Sequence, residues 1–212
     1  MKIKLLTALA VLAMAGVASA DLLVANGDFE LAGASWAEAQ SGETTFTYET
    51  SGGSTLGAAG GAYAQLANPG AGWAVLVSPP EAGADGGGTL IADLGVTANA
   101  LNNFQVDLKT FAGTAGGGLK IEAWGGNAIL GNSGDVNAPG AFADWTTFTV
   151  PYFVPAGTDK IIMVPLWGAG STVGYDNVGT DVVPEPATAG LLALAGLSMF
   201  VIRRVSRFNK IG

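Results

Sequence analysis

Glycine falls in clusters along this chain, and the clusters cut it into pieces too short for stable helices. Gly52-Gly53, Gly60-Gly61, Gly86-Gly87-Gly88, Gly116-Gly117-Gly118 and Gly125-Gly126 bound runs rich in β-branched and aromatic residues. A glycine inside a helix costs about 1 kcal/mol relative to alanine, whereas turns make use of its freedom. The runs between the clusters predict strands over residues 44–50, 62–67, 73–77, 89–94, 101–111, 119–124, 146–150, 160–167 and 173–178. Outside two terminal segments, no stretch repeats apolar residues at helical spacing. The expectation is an all-β domain, a sandwich of short antiparallel strands.

Alternation assigns faces. Phe104, Val106 and Leu108 interleave with Gln105, Asp107 and Lys109, so one side is buried and the other wet. Leu119, Ile121 and Ala123 likewise share a buried side, which leaves Lys120, Glu122 and Trp124 outside. The run 160–167 carries Ile161, Ile162, Met163, Val164 and Leu166 on both sides and reads as a central strand. Pro165 within it cannot donate to a ladder and predicts a bulge.

The ends differ from the middle. Lys2 and Lys4 precede an apolar run over 5–17 and then Ala18-Ser19-Ala20, the parts of a secretory signal peptide. Cleavage after Ala20 would start the mature chain at Asp21, the alternative being a retained anchor. At the other end, Pro184-Glu185-Pro186 leads into an apolar run over 187–202, closed by Arg203, Arg204 and Arg207. That run is shorter than the roughly 20 residues of a comfortable membrane helix, so it spans only marginally, helped by snorkelling arginines. The basic cluster would hold its end on the cytoplasmic side. The prolines keep the segment before it extended and readable by an enzyme. The boundaries read as a signal helix over 1–20, a β-sandwich over 21–182 and a tail with a transmembrane helix over 183–212.

A Pro-Glu-Pro motif, a short apolar helix and terminal arginines together resemble the PEP-CTERM sorting signal. The resemblance covers the last thirty or so residues. It implies an exosortase-type membrane transpeptidase as partner, cleavage near Pro184-Glu185-Pro186, and delivery to the cell surface or extracellular matrix of a polysaccharide-producing bacterium. An ordinary C-terminal anchor is the other reading.

Composition removes whole classes of chemistry. With no cysteine and no histidine, the chain has no disulfide, no thiolate or imidazole metal ligand and no Ser-His-Asp arrangement. All seventeen acidic residues lie between Asp21 and Glu185, where Lys109, Lys120 and Lys160 are the only cations, a net charge of −14. Such a region repels phosphate backbones and argues against a nucleic-acid partner, while its oxygen donors suit calcium.

Two separated segments resemble the galactose-binding-like jelly roll of carbohydrate-binding modules such as families 4, 9 and 22. One is Asn26-Gly27-Asp28-Phe29-Glu30 with Trp36 soon after. The other runs from Trp145-Thr146-Thr147-Phe148-Thr149-Val150 through Pro155-Ala156-Gly157-Thr158 to Tyr175-Asp176-Asn177-Val178. The resemblance implies a jelly-roll sandwich whose two ends lie side by side with a structural calcium between them, and Asp28, Glu30 and Asp176 as its candidate ligands. The residues also read without a metal, with Asp28 forming a turn, Glu30 a surface charge and Asp176 a hydrogen-bonded strand end. The resemblance further implies sugar binding on exposed rings. Trp124 is the first candidate, with Lys120 and Glu122 in reach, and Trp73 and Tyr63 come after it. Trp36, Trp145 and Trp167 read as core residues, and burial of Trp124 beneath a loop is its alternative.

Three functions remain. One is a non-catalytic, surface-delivered sandwich that holds polysaccharide. Another is a structural or self-associating matrix protein without a defined ligand. The last is a carboxylate glycosidase, which needs two carboxyls facing one cleft, roughly 5–5.5 Å or 6.5–9.5 Å apart. No pair in the sequence singles itself out, so the reading is not an enzyme. An exposed aromatic cluster would favour the first, and a wet face of threonine, serine and alanine the second.

Overall fold

The alternation of apolar and polar positions is realised as two stacked antiparallel sheets. The computed structural model describes residues 22–181 apart from 25, 35, 41, 43, 57–60, 69, 71–73, 79–87 and 167–169. The stretches expected to be a signal segment (1–20) and a sorting tail (183–212), together with Trp73 and Trp167, lie outside the described residues. Among the described residues thirteen strands run in order: β1 (Leu22–Leu23), β2 (Ala37–Gln40), β3 (Thr45–Glu49), β4 (Tyr63–Asn68), β5 (Ala74–Val77), β6 (Thr89–Leu90), β7 (Ala100–Ala112), β8 (Gly118–Gly125), β9 (Ala128–Asn132), β10 (Val136–Asn137), β11 (Thr146–Val154), β12 (Lys160–Leu166) and β13 (Ser171–Thr180). The first sheet has the order β11-β7-β13-β4-β3, with β1 added to β13. The second has the order β10-β8-β12-β5-β2, with β6 on β12 and β9 on β8. Among the described residues no helix is long and apolar enough to cross a membrane.

The core lies between the sheets. Phe104, Val106 and Leu108 of β7 and Leu119, Ile121 and Ala123 of β8 are fully buried there, as their alternation predicts. Each large side chain so buried contributes about 2 kcal/mol relative to exposure. β12 is central to its sheet, with Ile161 and Met163 in the core. Ile162, Val164 and Leu166 form a second cluster on its far side, with Val75, Val77 and Trp124 packed against it. Trp36 is buried and stacks on Phe29 with centroids 4.9 Å apart.

Four expectations change. The outer side of β7 is not wet throughout: Gln105 and Asp107 are buried, because neighbouring polar groups and a loop cover them. The strand over 89–94 stops at Leu90, because the chain turns at residues 91–95 and tucks Leu94 into the core. Pro165 makes no bulge against β8, where it pairs in register with Leu119. On its other side β12 meets β5 at one register pair, Leu166↔Val75, which leaves room for the missing donor. Trp145 is not a core residue: it precedes β11 and joins rings on the outer face of the first sheet. β1, β2, β9 and β10 carry no alternation long enough to predict.

Two local devices set where the strands present their side chains. Gly126, at φ 59, opens the two-residue turn between β8 and β9 in a conformation that favours glycine. In β13 a bulge interrupts the pairing with β7 between Asp176↔Asp107 and Gly179↔Gln105. Asn177 sits at its centre with φ 49, a left-handed value that asparagine tolerates better than most residues. The extra residue lets Asp176 and its neighbour Asn177 both serve the outer side of the sheet while Val178 returns to the core. β11 runs along the edge of the same sheet, with Pro151 opposite Asn103 and the exposed Phe153 opposite Leu101.

Candidate functional site

On the outer face of the first sheet, three aromatic rings meet over a glycine. Tyr63 begins β4, Phe111 lies near the end of β7, and Trp145 stands just before β11. The Tyr63 and Phe111 rings stack with centroids 5.4 Å apart, and Trp145 meets them edge-on at 5.3 and 6.3 Å. Gly174 of β13 is the floor. A Cβ there would stand 2.8 Å from Phe111, 2.9 Å from Trp145 and 3.2 Å from Tyr63, so only glycine lets the rings lie on the sheet. Lys109 holds its ammonium 5.3 Å from the Phe111 centroid, a cation–π contact.

A polar shelf adjoins the rings. Register sets Gly174 beside Gln65 and Gln65 beside Thr47, with Thr172, Ala67 and Thr45 in the next row and Glu49 opposite Tyr63. Burial, reinforced by Glu49, raises the Tyr63 hydroxyl above its ordinary pKa, which keeps it a neutral donor. Phe111 is 42 % exposed and Trp145 half-buried. Apolar ring faces beside amide and hydroxyl groups are what a sugar needs: rings for its C–H face, polar groups for its hydroxyls.

One row away lies a buried acid pair. Asp107 and Asp176 are 3 % and 2 % exposed and stand opposite each other on β7 and β13. Asp107 accepts from Ser54 Oγ at 2.6 Å, Thr147 Oγ1 at 2.6 Å and Asn177 Nδ2 at 2.8 Å. Asp176 accepts from the backbone amides of Ser54 at 2.7 Å and Asn177 at 2.8 Å. Burial, helped by repulsion from Asp107 and Asp28, outweighs those amides and pushes Asp176 up to about 7. Both carboxylates are closed off from solvent, so they are not a pair facing a cleft, as glycoside hydrolysis needs.

The residues proposed for calcium come partly together. Glu30 accepts from the Ala62 amide at 3.0 Å, and its carboxylate crowds Gly61. Asp176 Oδ2 and the carbonyls of Ala62 and Gly61 crowd one side of Gly53, and Asp28 lies close enough to raise Asp176 electrostatically. The donors are all oxygen, the type calcium takes. Among the described residues, however, no three acidic side chains gather tightly enough to form a metal site. The donors match calcium in kind, while the described carboxylates do not by themselves make its shell.

Trp124, Lys120 and Glu122 are brought together on the outer face of the second sheet. Lys120 pairs with Glu122 at 2.6 Å, and the Trp124 indole donates to Glu122 at 3.3 Å. The Trp124 ring packs against the Ile162, Val164 and Leu166 cluster. Phe111, Trp145 and Gly174 escape a reading of the sequence. Phe111 shares parity with Asp107 and Lys109, which places it outside, but its partners come from three other parts of the chain.

No family model matches the chain, and neither does any curated protein. Among solved structures, the enzymatically active domain of bacteriophage CBA120 tailspike protein 4 is similar with a TM-score of 0.52 at 15 % identity. The match covers 74 % of this chain and 20 % of that one. A family 16 carbohydrate-binding module is similar with a TM-score of 0.46 and 13 % identity, covering 74 % of this chain and 96 % of that one. The CBM22-1–GH10 modules of Clostridium thermocellum xylanase 10B, complexed with xylohexaose, give 0.45 and 14 % over 76 % of this chain and 28 % of that one. At these identities the likeness is one of fold. This chain spans a fifth of the tailspike domain.

Proposed function

We propose that this chain is an exported, non-catalytic β-sandwich that holds polysaccharide on the outer face of its first sheet. The observation that carries the reading is the set of Tyr63, Phe111 and Trp145 over Gly174, beside the shelf of Gln65, Thr47 and Thr172. In this reading the signal segment exports the chain. The tail with Pro184, Glu185 and Pro186 and the arginines 203, 204 and 207 holds it in the membrane until an exosortase-type enzyme releases it to the surface or matrix. Calcium at Asp176, Glu30 and the nearby carbonyls, with Asp28 beside them, would tie Gly53, Gly61 and Ala62 to the segment around Asp28 and neutralise buried negative charge there.

The deciding measurement is retention of the full-length protein on immobilised polysaccharides, wild type against Trp145→Ala and Phe111→Ala. The reading expects wild-type retention and its loss in both variants. Equal retention by the variants would sink the site. A second reading, a structural matrix protein without a ligand, draws on Tyr63 being 7 % exposed with one ring face against Phe111. Failure of the wild type to be retained on any polysaccharide, including its own matrix, would favour it.

A further inference from the structure

Trp145 is tied to a loop whose described residues are held by side chains from distant strands. Its indole donates to the carbonyl of Gly52 at 3.0 Å, across 93 positions of sequence. Gly52 belongs to the glycine-rich segment after β3, whose described residues lie on no sheet ladder. Among the described residues, Gly53 N–H donates to the Gly61 carbonyl at 3.1 Å and ties the loop to its far end. Two residues beyond Gly52, Ser54 is fully buried and faces the acid pair. Its amide donates to Asp176, its hydroxyl donates to Asp107, and the same hydroxyl accepts from Leu56 N–H at 3.1 Å. Asp107 also accepts from Thr147, two residues after Trp145. One carboxylate therefore fixes the tryptophan from both sides, through its own strand and through the loop that carries its acceptor.

We infer that Ser54 and Asp107 are positioning residues of the sugar platform, which strap the 50–56 loop down so that Gly52 sets the pose of Trp145. The inference rests on the polysaccharide-binding reading above and names what pre-organises that site. Without the strap, ordering the loop and the indole would fall to the ligand, and that cost appears as weaker binding. A second hydroxyl residue at 54 keeps the strap, and alanine removes it.

The test uses the full-length protein with two readouts. The first is hydrogen exchange of the Trp145 indole N–H, assigned by its disappearance in Trp145→Phe. The second is affinity for a polysaccharide that retains the wild type. Ser54→Ala is expected to speed the exchange and weaken binding about tenfold, the size of one buried hydrogen bond converted to affinity. Ser54→Thr is expected to restore both. A purely structural serine would lower the melting temperature while leaving the indole protected below it, and that result overturns the inference. If Ser54→Ala does not fold, Thr147→Val removes the other tie and is expected to act in the same direction, and unchanged exchange there is equally fatal. Loss of binding in Trp145→Ala without any effect of the strap variants refutes only the strap. Unchanged binding in Trp145→Ala refutes the reading of the site, while the exchange readout still reports on the loop.

Discussion

Both sheets carry a tryptophan on their outer faces, and what lies beneath each ring sets them apart. On the second sheet, Trp124 rests on Ile162, Val164 and Leu166, and its N–H is taken by Glu122, itself paired with Lys120. On the first, Trp145 meets two more rings above a glycine, with amides and hydroxyls in the adjoining rows. A ring seated on branched aliphatic chains is packing. A ring packed with other aromatics over a glycine, with polar groups in the adjoining rows, is the arrangement on which the proposed polysaccharide face rests. Strand parity places Trp124 outside and says nothing of Trp145, which precedes its strand; what lies beneath each ring tells them apart.

The sharpest way to break this contrast is to put a side chain beneath the rings. Gly174→Leu should displace all three rings, abolish polysaccharide retention and destabilise the domain by about 1–3 kcal/mol, the usual size of overpacking. Thermal unfolding and retention check it together, and a variant that still binds would separate the rings from the ligand. Next come the two tryptophans compared directly. Trp145→Ala should weaken binding at least about tenfold, in the range of a truncated aromatic anchor, while Trp124→Ala changes it far less. The reverse order, measured by affinity electrophoresis, would move the site to the second sheet and its Lys120 and Glu122.

The acid pair supplies the next prediction, with a definite sign. Asp176 has its folded pKa raised from 3.8 to about 7, so the proton stabilises the fold. That contribution is complete below about pH 4 and is lost as pH rises through about 7. In chelator, the melting temperature should therefore fall between pH 5 and pH 8, and Asp176→Asn should flatten the slope. Added calcium should restore the loss at pH 8 by a few degrees, with about 1 kcal/mol corresponding to 2–4 °C in a domain of this size. No calcium response at either pH would exclude Asp176 and Glu30 as its ligands. The smallest effect expected on the domain itself comes from deleting the chain after Pro186. Binding should be unchanged and only anchoring lost, as cell fractionation would show.

The part of the fold that the sequence discloses is the part governed by a single periodicity. Phe104-Val106-Leu108 and Leu119-Ile121-Ala123 show their faces because one side of each strand meets the core and the other does not. Two-residue strands such as β1 and β10 show nothing, since pairing with a neighbour rather than pattern makes them strands. The run 89–94 misleads because Leu94 is buried by a turn, which apolarity alone cannot distinguish from a strand. Of the site, Tyr63 with Gln65 is legible by parity. Trp145 is not, because its place depends on Gly174 and Gly52, nearly thirty and over ninety positions away, neither carrying a side chain for a pattern to register.

The edge of the first sheet has a consequence at the scale of many molecules. β11 offers nine residues in register to β7 on one side. An open strand of that length invites the same strand of another copy, and then another, as in fibres. Pro151 near its middle has no N–H to give, so the lattice of bonds such a stack requires is interrupted at every layer. At high concentration the proline therefore hinders polymerisation of copies along this edge.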